Sequence, residues 1–219
     1  MQDLPRIDKT IADGTFFTNQ ELCDAYIKAQ QGKRSLHLIG LVSAGGVHSH
    51  INHLFALLDL AAKMKFNNIY IHMITDGRDT PAQVALTDLK SLEQKCSQLG
   101  IGKIASIAGR YFAMDRDHNW ERTIKTYDAF VSGKAPIVSS ASEAIQNSYH
   151  NQKYDEFIEP VQIANTPRIS DGDSIVFFNY RSDRSKQISA CIIDPDFKDF
   201  SREKTIKDFY FVSFTSYGH

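Results

Sequence analysis

Half of the arginines in this sequence lie in three short polar segments, each of which directly follows an apolar run. The five residues are Arg78, Arg110, Arg116, Arg181 and Arg184, out of ten arginines in the chain. The planar guanidinium group matches the paired oxygens of carboxylates and phosphates. Five such cations close together would repel one another, so the sequence predicts that a small anion carrying both phosphate and carboxylate binds among them. The alternative is that individual arginines pair with nearby aspartates.

Two further side chains in polar segments could contribute to such a site. Asp79 directly follows Arg78, and an ionised aspartate among cations can accept hydrogen bonds from substrate hydroxyls or act as a general base. Its alternative roles are a helix cap or an ion pair with Arg78. His48 lies in the polar segment after an earlier apolar run, and we expect it to donate a hydrogen bond to phosphate.

The histidines His48, His50 and His53 are close enough in sequence to raise the question of a metal site. No carboxylate stands beside them, and in a turn that enters a helix they need not point the same way. We therefore predict no metal and no other cofactor in this chain, and we expect His50 and His53 to be structural or solvent-facing.

The glycine turn Gly45-Gly46 and a helix predicted to begin near Ser49 would direct backbone N–H groups toward the same anion. The chain lacks GK[ST] after this turn and lacks GxGxxG, so a nucleotide site or a nicotinamide-dependent dehydrogenase is disfavoured. No serine occupies a GxSxG elbow. The polar segments therefore indicate a binding site for a small polyanion rather than a complete active site.

The elements that must position these segments alternate between strands and helices. Buried strands are predicted at Leu36–Val42, Ile69–Ile74, Ile104–Ala108, Ile175–Phe178 and Phe209–Phe214. Helices are predicted at Thr18–Gln31, Asn52–Lys65, Pro81–Leu99 with Thr80 as its cap, Trp120–Phe130 and Asp183–Cys191. This alternation predicts an α/β fold with a mostly parallel central sheet and helices on both faces, so that the polar segments meet at one edge of the sheet.

The remaining stretches are less regular. Residues 1–35 are predicted to form a lead-in arm followed by the first helix, and residues 136–170 to hold one edge strand and short helices. We treat residues 1–219 as a single domain. The abrupt end after an apolar run, at Ser216-Tyr217-Gly218-His219, is expected to be a boundary within a longer chain.

Composition excludes several classes of protein. The 219 residues are 42% hydrophobic and 23% charged, which is typical of a globular protein. A formal net charge of -1 gives no general attraction for nucleic acid, and no apolar run approaches the roughly 18 residues of a membrane span. Three cysteines without a CxxC pair favour a reducing compartment. We therefore predict a cytoplasmic protein that binds neither nucleic acid nor membrane.

Four motifs together resemble the cofactor-independent phosphoglycerate mutases, which do not require 2,3-bisphosphoglycerate. They are VSAGGVHSH (Val42–His50), TDGRDTPA (Thr75–Ala82), AGRYFAMDRD (Ala108–Asp117) and FFNYRSDR (Phe177–Arg184). Their order and spacing agree with the family across nearly the whole chain, and QDLPRIDKTIADGTFF near the start is similar to the family's lead-in to its inserted domain. One departure is Ala44, where many relatives have aspartate.

The resemblance implies a role for each matching residue. His48, Arg78, Asp79, Arg110, Arg116, Arg181 and Arg184 would bind 2- or 3-phosphoglycerate. Asp79 would contact the glycerate hydroxyls and act as the proposed base, and the arginines would hold phosphate and carboxylate. The resemblance covers only the inserted, substrate-binding α/β domain of the family.

The phosphatase-like domain, which in the family carries a serine nucleophile and two divalent cations, usually manganese, has no counterpart in this sequence. We therefore expect the chain to work with that domain as a partner in a longer protein. The alternative is a free-standing binding module for small phosphorylated acids.

Overall fold

The computed structural model describes residues 2–218 and contains one seven-stranded sheet. Its strands are β1 (Leu36–Leu41), β2 (Ile69–Thr75), β3 (Lys103–Gly109), β4 (Ile137–Val138), β5 (Val161–Ile163), β6 (Ser174–Phe177) and β7 (Tyr210–Ser213). They lie in the order β4-β5-β3-β2-β1-β6-β7. The five strands from β3 to β7 in this order are mutually parallel, whereas β5 pairs antiparallel with β3 and parallel with β4. The predicted mostly parallel sheet is confirmed.

Helices cover both faces of the sheet. They are α1 (Asp3–Asp13), α2 (Gln20–Gly32), α3 (Ile51–Lys63), α4 (Ala85–Leu99), α5 (Arg110–Ala113), α6 (Trp120–Tyr127), α7 (Ala141–His150) and α8 (Lys186–Ile193). Short 3-10 turns lie at Thr15–Thr18 and Asp155–Phe157, and a π-helical turn at Asp128–Ser132 extends α6. The predicted three-layer α/β fold is therefore present.

Alternation along β1 explains why two cores form. Leu36 and Leu38 point to one face of the sheet and are buried with residues of α1–α4 and α7. Ile39 and Leu41 point to the other face and are buried with residues of α5, α6 and α8. Because successive side chains of a strand face opposite sides, a strand buried on both faces has a continuous apolar sequence. All five predicted strands occur within one residue of their expected ends.

The structure corrects the start of two predicted helices. Helix α4 begins at Ala85 rather than at Pro81, because the carboxylate of Asp155 accepts hydrogen bonds from the amides of Val84 and Ala85. The cap therefore comes from a distant segment and not from Thr80. Helix α8 begins at Lys186 rather than at Asp183, and the residues before it form a turn.

The irregular stretches also differ from expectation. The predicted lead-in arm is helical, since α1 occupies most of it and buries Ile7 against the core. The stretch 136–170 contains two short strands, β4 and β5, rather than one, together with the ten-residue helix α7. Neither strand is long enough to give a clear alternating pattern in the sequence.

The chain order places the carboxyl ends of β1 and β6 side by side. From β1 the chain moves outward through β2 to β3, and it later returns to pair β6 with the other edge of β1. Ligands of open α/β sheets bind at such a reversal, outside the carboxyl ends of the strands. The segments after β1, β2, β3 and β6 are those that carry the predicted site residues.

Candidate functional site

An ion-paired group of three buried or half-buried side chains lies at the base of the site. Arg110, only 4% exposed, directs its Nη1 at Asp76 Oδ1 (2.8 Å) and at Asp79 Oδ2 (2.5 Å). Asp76 Oδ1 also accepts the amides of Arg78 (3.1 Å) and Asp79 (3.0 Å), and its Oδ2 accepts from the Ser43 hydroxyl (2.6 Å). Asp76 thus fixes both the guanidinium and the turn that carries Asp79.

Asp76 and Arg110 each stabilise the ionised form of the other. Burial alone would raise the pKa of Asp76, but the hydrogen bonds from Ser43, the Asp79 amide and Arg110 outweigh it and lower that pKa. Burial alone would lower the pKa of Arg110, but its bonds to Asp79 and Asp76 outweigh it and raise that pKa. Both groups are therefore charged at neutral pH.

His48 is buried next to Arg110, and its Nδ1 is a hydrogen-bond donor without a partner among residues 2–218. Arg110 Nη2 lies 3.1 Å from His48 Nε2, and because a guanidinium can only donate, Nε2 must accept and Nδ1 must carry the hydrogen. Nδ1 is buried and has no hydrogen-bond partner among residues 2–218; the nearest carboxylate oxygen, Oδ1 of Asp183, is 3.9 Å away. Burial, and then the charge of Arg110, lower the pKa of His48 to about 4, so the ring is neutral at pH 7.

Asp183 joins two of the predicted arginines at the rim. Its Oδ2 lies 2.6 Å from Arg116 Nη1, and its Oδ1 lies 2.9 Å from Arg181 Nε. Burial alone would raise the pKa of Asp183, but the charge of Arg181 and the hydrogen bonds from Arg181 and Arg116 outweigh it and lower that pKa. An anion that binds these arginines must therefore compete with a carboxylate of the protein.

Arg184 differs because no carboxylate of the described residues pairs with it. Its Nη1 donates to the carbonyl oxygen of Met114 at 3.3 Å. Burial, followed by the charges of Arg116, Arg110 and Arg78, lowers the pKa of Arg184. The four cations are close enough to repel one another, so this part of the rim attracts an anion.

Arg78 lies at the outer edge of the rim. Its Nη1 is 3.5 Å from Glu156 Oε1, and its side chain is 60% exposed. The alternative Arg78–Asp79 ion pair does not form, because Asp79 contacts Arg110 instead. Asp79 does not cap a helix either, since α4 begins six residues later with Asp155 at its cap.

One expectation about the histidine segment is wrong. The amides at the start of α3 are occupied by the protein, since Ile51 N donates to Ser43 O and Asn52 N donates to His50 Nδ1. The helix therefore does not offer them to an anion. His53 is fully buried, and its Nε2 lies 2.8 Å from Asp8 on α1, which agrees with the expected structural role.

The structure therefore brings together all seven predicted residues at the carboxyl ends of the strands, although three of the five arginines already contact aspartates. It also adds residues that the sequence did not single out. Asp76 and Asp183 stand inside the quoted motifs, and their position directly beside strand ends and arginines could have identified them. Glu156 and Asp155 lie in the irregular stretch, where no local pattern marks them.

Two negative findings apply to residues 2–218. No group of three or more histidine, cysteine, aspartate or glutamate side chains has a geometry that could hold a metal ion. None of the helices in this part of the chain combines the length and the apolar character needed to cross a membrane.

Fold and site together define an α/β domain with an arginine-lined rim at the switch point of its sheet. The family model described as "BPG-independent PGAM N-terminus (iPGM_N)" matches residues 7–219, and the chain belongs to this family.

The similar proteins are named as phosphoglycerate mutases. The chain is 48% identical over 220 residues to the 2,3-bisphosphoglycerate-independent phosphoglycerate mutase of Moorella thermoacetica, and 47% identical to that of Clostridium perfringens strain SM101. Each match covers 99% of this chain and 43% of the relative. A crystal structure of Leishmania mexicana phosphoglycerate mutase at low cobalt concentration matches with a TM-score of 0.89 at 30% identity, over 97% of this chain and 41% of that one. The chain thus spans less than half of the length of these relatives.

Proposed function

We propose that this chain is the substrate-binding domain of a phosphoglycerate mutase, and that residues 1–219 form one unit that holds 2- and 3-phosphoglycerate at the arginine-lined rim. The observation that carries the proposal is Arg184. It is a half-buried cation with three arginines near it and no carboxylate partner in the described chain. A ligand with phosphate and carboxylate would supply the missing negative charge.

The proposed roles follow from the contacts of each residue. Arg116, Arg181 and Arg184 would bind the anionic groups, with Asp183 released from its arginines as the ligand arrives. His48 would donate its Nδ1 hydrogen to a ligand oxygen. Asp79, held by Arg110, would accept a hydrogen bond or a proton from a glycerate hydroxyl. Arg110 would act mainly by holding Asp79 and His48, and Arg78 would complete the outer edge.

The reaction implied by the family requires a second domain. Phosphate would pass from the 3-oxygen of 3-phosphoglycerate to a serine there, the glycerate would reorient on this domain, and the phosphate would return to the 2-oxygen. Two divalent cations, manganese in most members, would activate that serine and neutralise phosphate charge in the other domain. This domain would contribute orientation and charge neutralisation, which supply much of the catalysis of phosphoryl transfer.

This role would place the protein in glycolysis and gluconeogenesis, and therefore in the cytoplasm. The neighbouring partner would be the phosphatase-like part of the same chain. A free-standing sensor of phosphorylated acids would bind the same ligands but would have no such partner, so the reading frame that surrounds this sequence in its gene distinguishes the two.

Calorimetry with 3-phosphoglycerate at low ionic strength tests the binding proposal. We expect saturable, weak binding, because the other domain would supply further contacts. The double variant Arg181→Ala/Arg184→Ala should lose at least about tenfold in affinity, since one hydrogen bond to a charged group is worth about 1.5–3 kcal/mol. Arg6→Ala/Arg34→Ala removes two exposed arginines outside the site and is the matched control. Equal affinity of the two double variants would refute the assignment.

A further inference from the structure

A segment from a distant part of the sequence crosses the carboxyl ends of β2 and β3. The hydroxyl of Thr75, the last residue of β2, donates to the carbonyl oxygen of Asp155 (2.7 Å). The amide of Gly109, the last residue of β3, donates to the carbonyl oxygen of Ile158 (2.7 Å). The segment Asp155–Ile158 therefore lies between the turn that carries Asp79 and the start of α5, where Arg110 lies.

Glycines at the two places where the segment crosses allow this close approach. A Cβ atom on Gly77 would lie 2.8 Å from the Cβ of Asp155, and Gly77 also has a φ of +76°. A Cβ atom on Gly109 would lie 2.3 Å from the carbonyl oxygen of Glu156. Side chains at these positions would push the segment away from the sheet. The absence of a Cβ at Gly77 and Gly109 therefore lets the segment pack directly against the backbone after β2 and at the end of β3.

The carboxylate of Asp155 holds the far end of the same turn. It is completely buried, and its Oδ2 accepts the amides of Val84 (2.8 Å) and Ala85 (2.9 Å) at the start of α4. Its Oδ1 accepts from the Tyr149 hydroxyl, and its own amide donates to Ala82 O (3.0 Å). One residue thus supplies the cap of a helix that has no cap of its own.

The turn between β2 and α4 is therefore fixed at both of its ends by Asp155. Arg78 and Asp79 lie within that turn, and Arg78 also contacts the neighbouring Glu156. Asp79 in turn contacts Arg110, which follows Gly109 directly. The Asp155–Ile158 segment therefore contacts the residues on both sides of the Asp79–Arg110 pair.

We infer that Asp155 is a positioning residue of the candidate site, which acts through the turn that carries Arg78 and Asp79. It touches no ligand in this role. Its effect on affinity for 3-phosphoglycerate rests on the proposed function, whereas its effect on the turn does not. The two consequences can therefore be measured separately.

Hydrogen exchange and calorimetry on the Asp155→Ala variant test the inference. Loss of a helix cap typically costs about 1 kcal/mol, so we expect amides 76–85 to exchange roughly five- to tenfold faster, with the rest of the sheet unchanged. Affinity for 3-phosphoglycerate should fall about tenfold, since the turn must be reordered on binding. Asp155→Asn keeps an oxygen for the two amides and should show a smaller change in both measurements.

Asp173 offers a matched control at the opposite end of the sheet. It is also a buried carboxylate that accepts two amides, that of Ser35 far away in the sequence (3.0 Å) and that of Ser170 three residues before it (2.8 Å), but it lies just before the first residue of β6. Asp173→Ala should lower the free energy of unfolding to a similar degree. It should leave both the exchange of amides 76–85 and the affinity for 3-phosphoglycerate unchanged.

The outcomes separate the two proposals. If wild type gives no saturable heat with 3-phosphoglycerate, the proposed function fails, and the exchange of amides 76–85 still decides the role of Asp155. If Asp155→Ala changes exchange and affinity no more than Asp173→Ala does, the inference is overturned. If Asp155→Ala does not fold, Asp155→Asn is compared with Asp173→Asn, and equal exchange in that pair overturns it as well.

Discussion

Arg110 donates a hydrogen bond from Nη2 to Nε2 of His48 across 3.1 Å, and this contact leaves the hydrogen of the imidazole on Nδ1. A guanidinium has no acceptor atom, so the reverse arrangement is not possible. His48 is therefore a neutral hydrogen-bond donor at the rim and does not add to the positive charge of the arginines. Neutrality also explains how His48 can be buried beside Arg110 although the oxygens of Asp79 and Asp183, at 3.8 Å and 3.9 Å, are too far away for a hydrogen bond.

The neutral state of His48 predicts how stability depends on pH. Its pKa in the folded protein is about 4, against about 6.5 in an unfolded chain. As the pH falls from 6.5 toward 4, only the unfolded state binds the proton, so the free energy of unfolding decreases over that range. His48→Gln should lose less stability than wild type between pH 7 and pH 5 in urea denaturation. His150→Gln, at an exposed position, serves as the control. An NMR titration of His48 with a midpoint near 6.5 would contradict the assignment.

Replacing Arg110 by lysine should not be conservative. Arg110 contacts Asp76, Asp79 and His48 through two nitrogens, and the single ammonium of lysine cannot reproduce that geometry. We expect Arg110→Lys to lose about 1.5–3 kcal/mol of unfolding free energy, because a hydrogen bond to a buried charge is removed. Arg116→Lys, at an exposed position, should change stability little but should weaken 3-phosphoglycerate binding. Denaturant unfolding and calorimetry measure both effects, and unchanged stability of Arg110→Lys would count against the network.

The arginines at the rim should differ in their contribution to binding. Arg184 contacts only a carbonyl oxygen, whereas Arg181 is paired with Asp183, so a ligand must displace Asp183 to reach Arg181. We therefore expect Arg184→Ala to lower the affinity for 3-phosphoglycerate more than Arg181→Ala does, by about tenfold or more. Added salt should weaken the binding of wild type and of both variants. A larger loss in Arg181→Ala would show that displacement of Asp183 costs little.

The 219-residue chain alone should have no mutase activity. Within residues 2–218 no three metal-ligating side chains form a group, and the rim instead collects arginines, which repel a divalent cation. Adding manganese should therefore give neither tight binding nor conversion of 3-phosphoglycerate to 2-phosphoglycerate. Phosphorus NMR detects the conversion, and a full-length relative provides the positive control. Manganese-dependent turnover by this chain would overturn the proposed division of labour.

The sequence by itself determined the parallel sheet and the convergence of its polar segments. Continuous apolar runs such as Leu36–Leu41 require burial on both faces, and helices between such runs force parallel pairing. Once the strands are parallel, the segments that follow them must meet at one edge. The sequence shows directly which arginines follow the carboxyl end of a strand. It therefore predicted correctly that Arg78, Arg110 and Arg184 lie near one another.

Only the tertiary structure decided which partner each of these side chains has. Asp155 caps a helix that begins 70 residues earlier in the chain, Asp8 pairs with His53, and Asp79 turns to Arg110 rather than to its neighbour Arg78. None of these contacts leaves a periodic trace in the sequence, because hydrogen bonds between distant residues depend on how whole elements pack. The sequence thus fixes which residues reach the edge of the sheet, and packing fixes which of their charges remain available to a ligand.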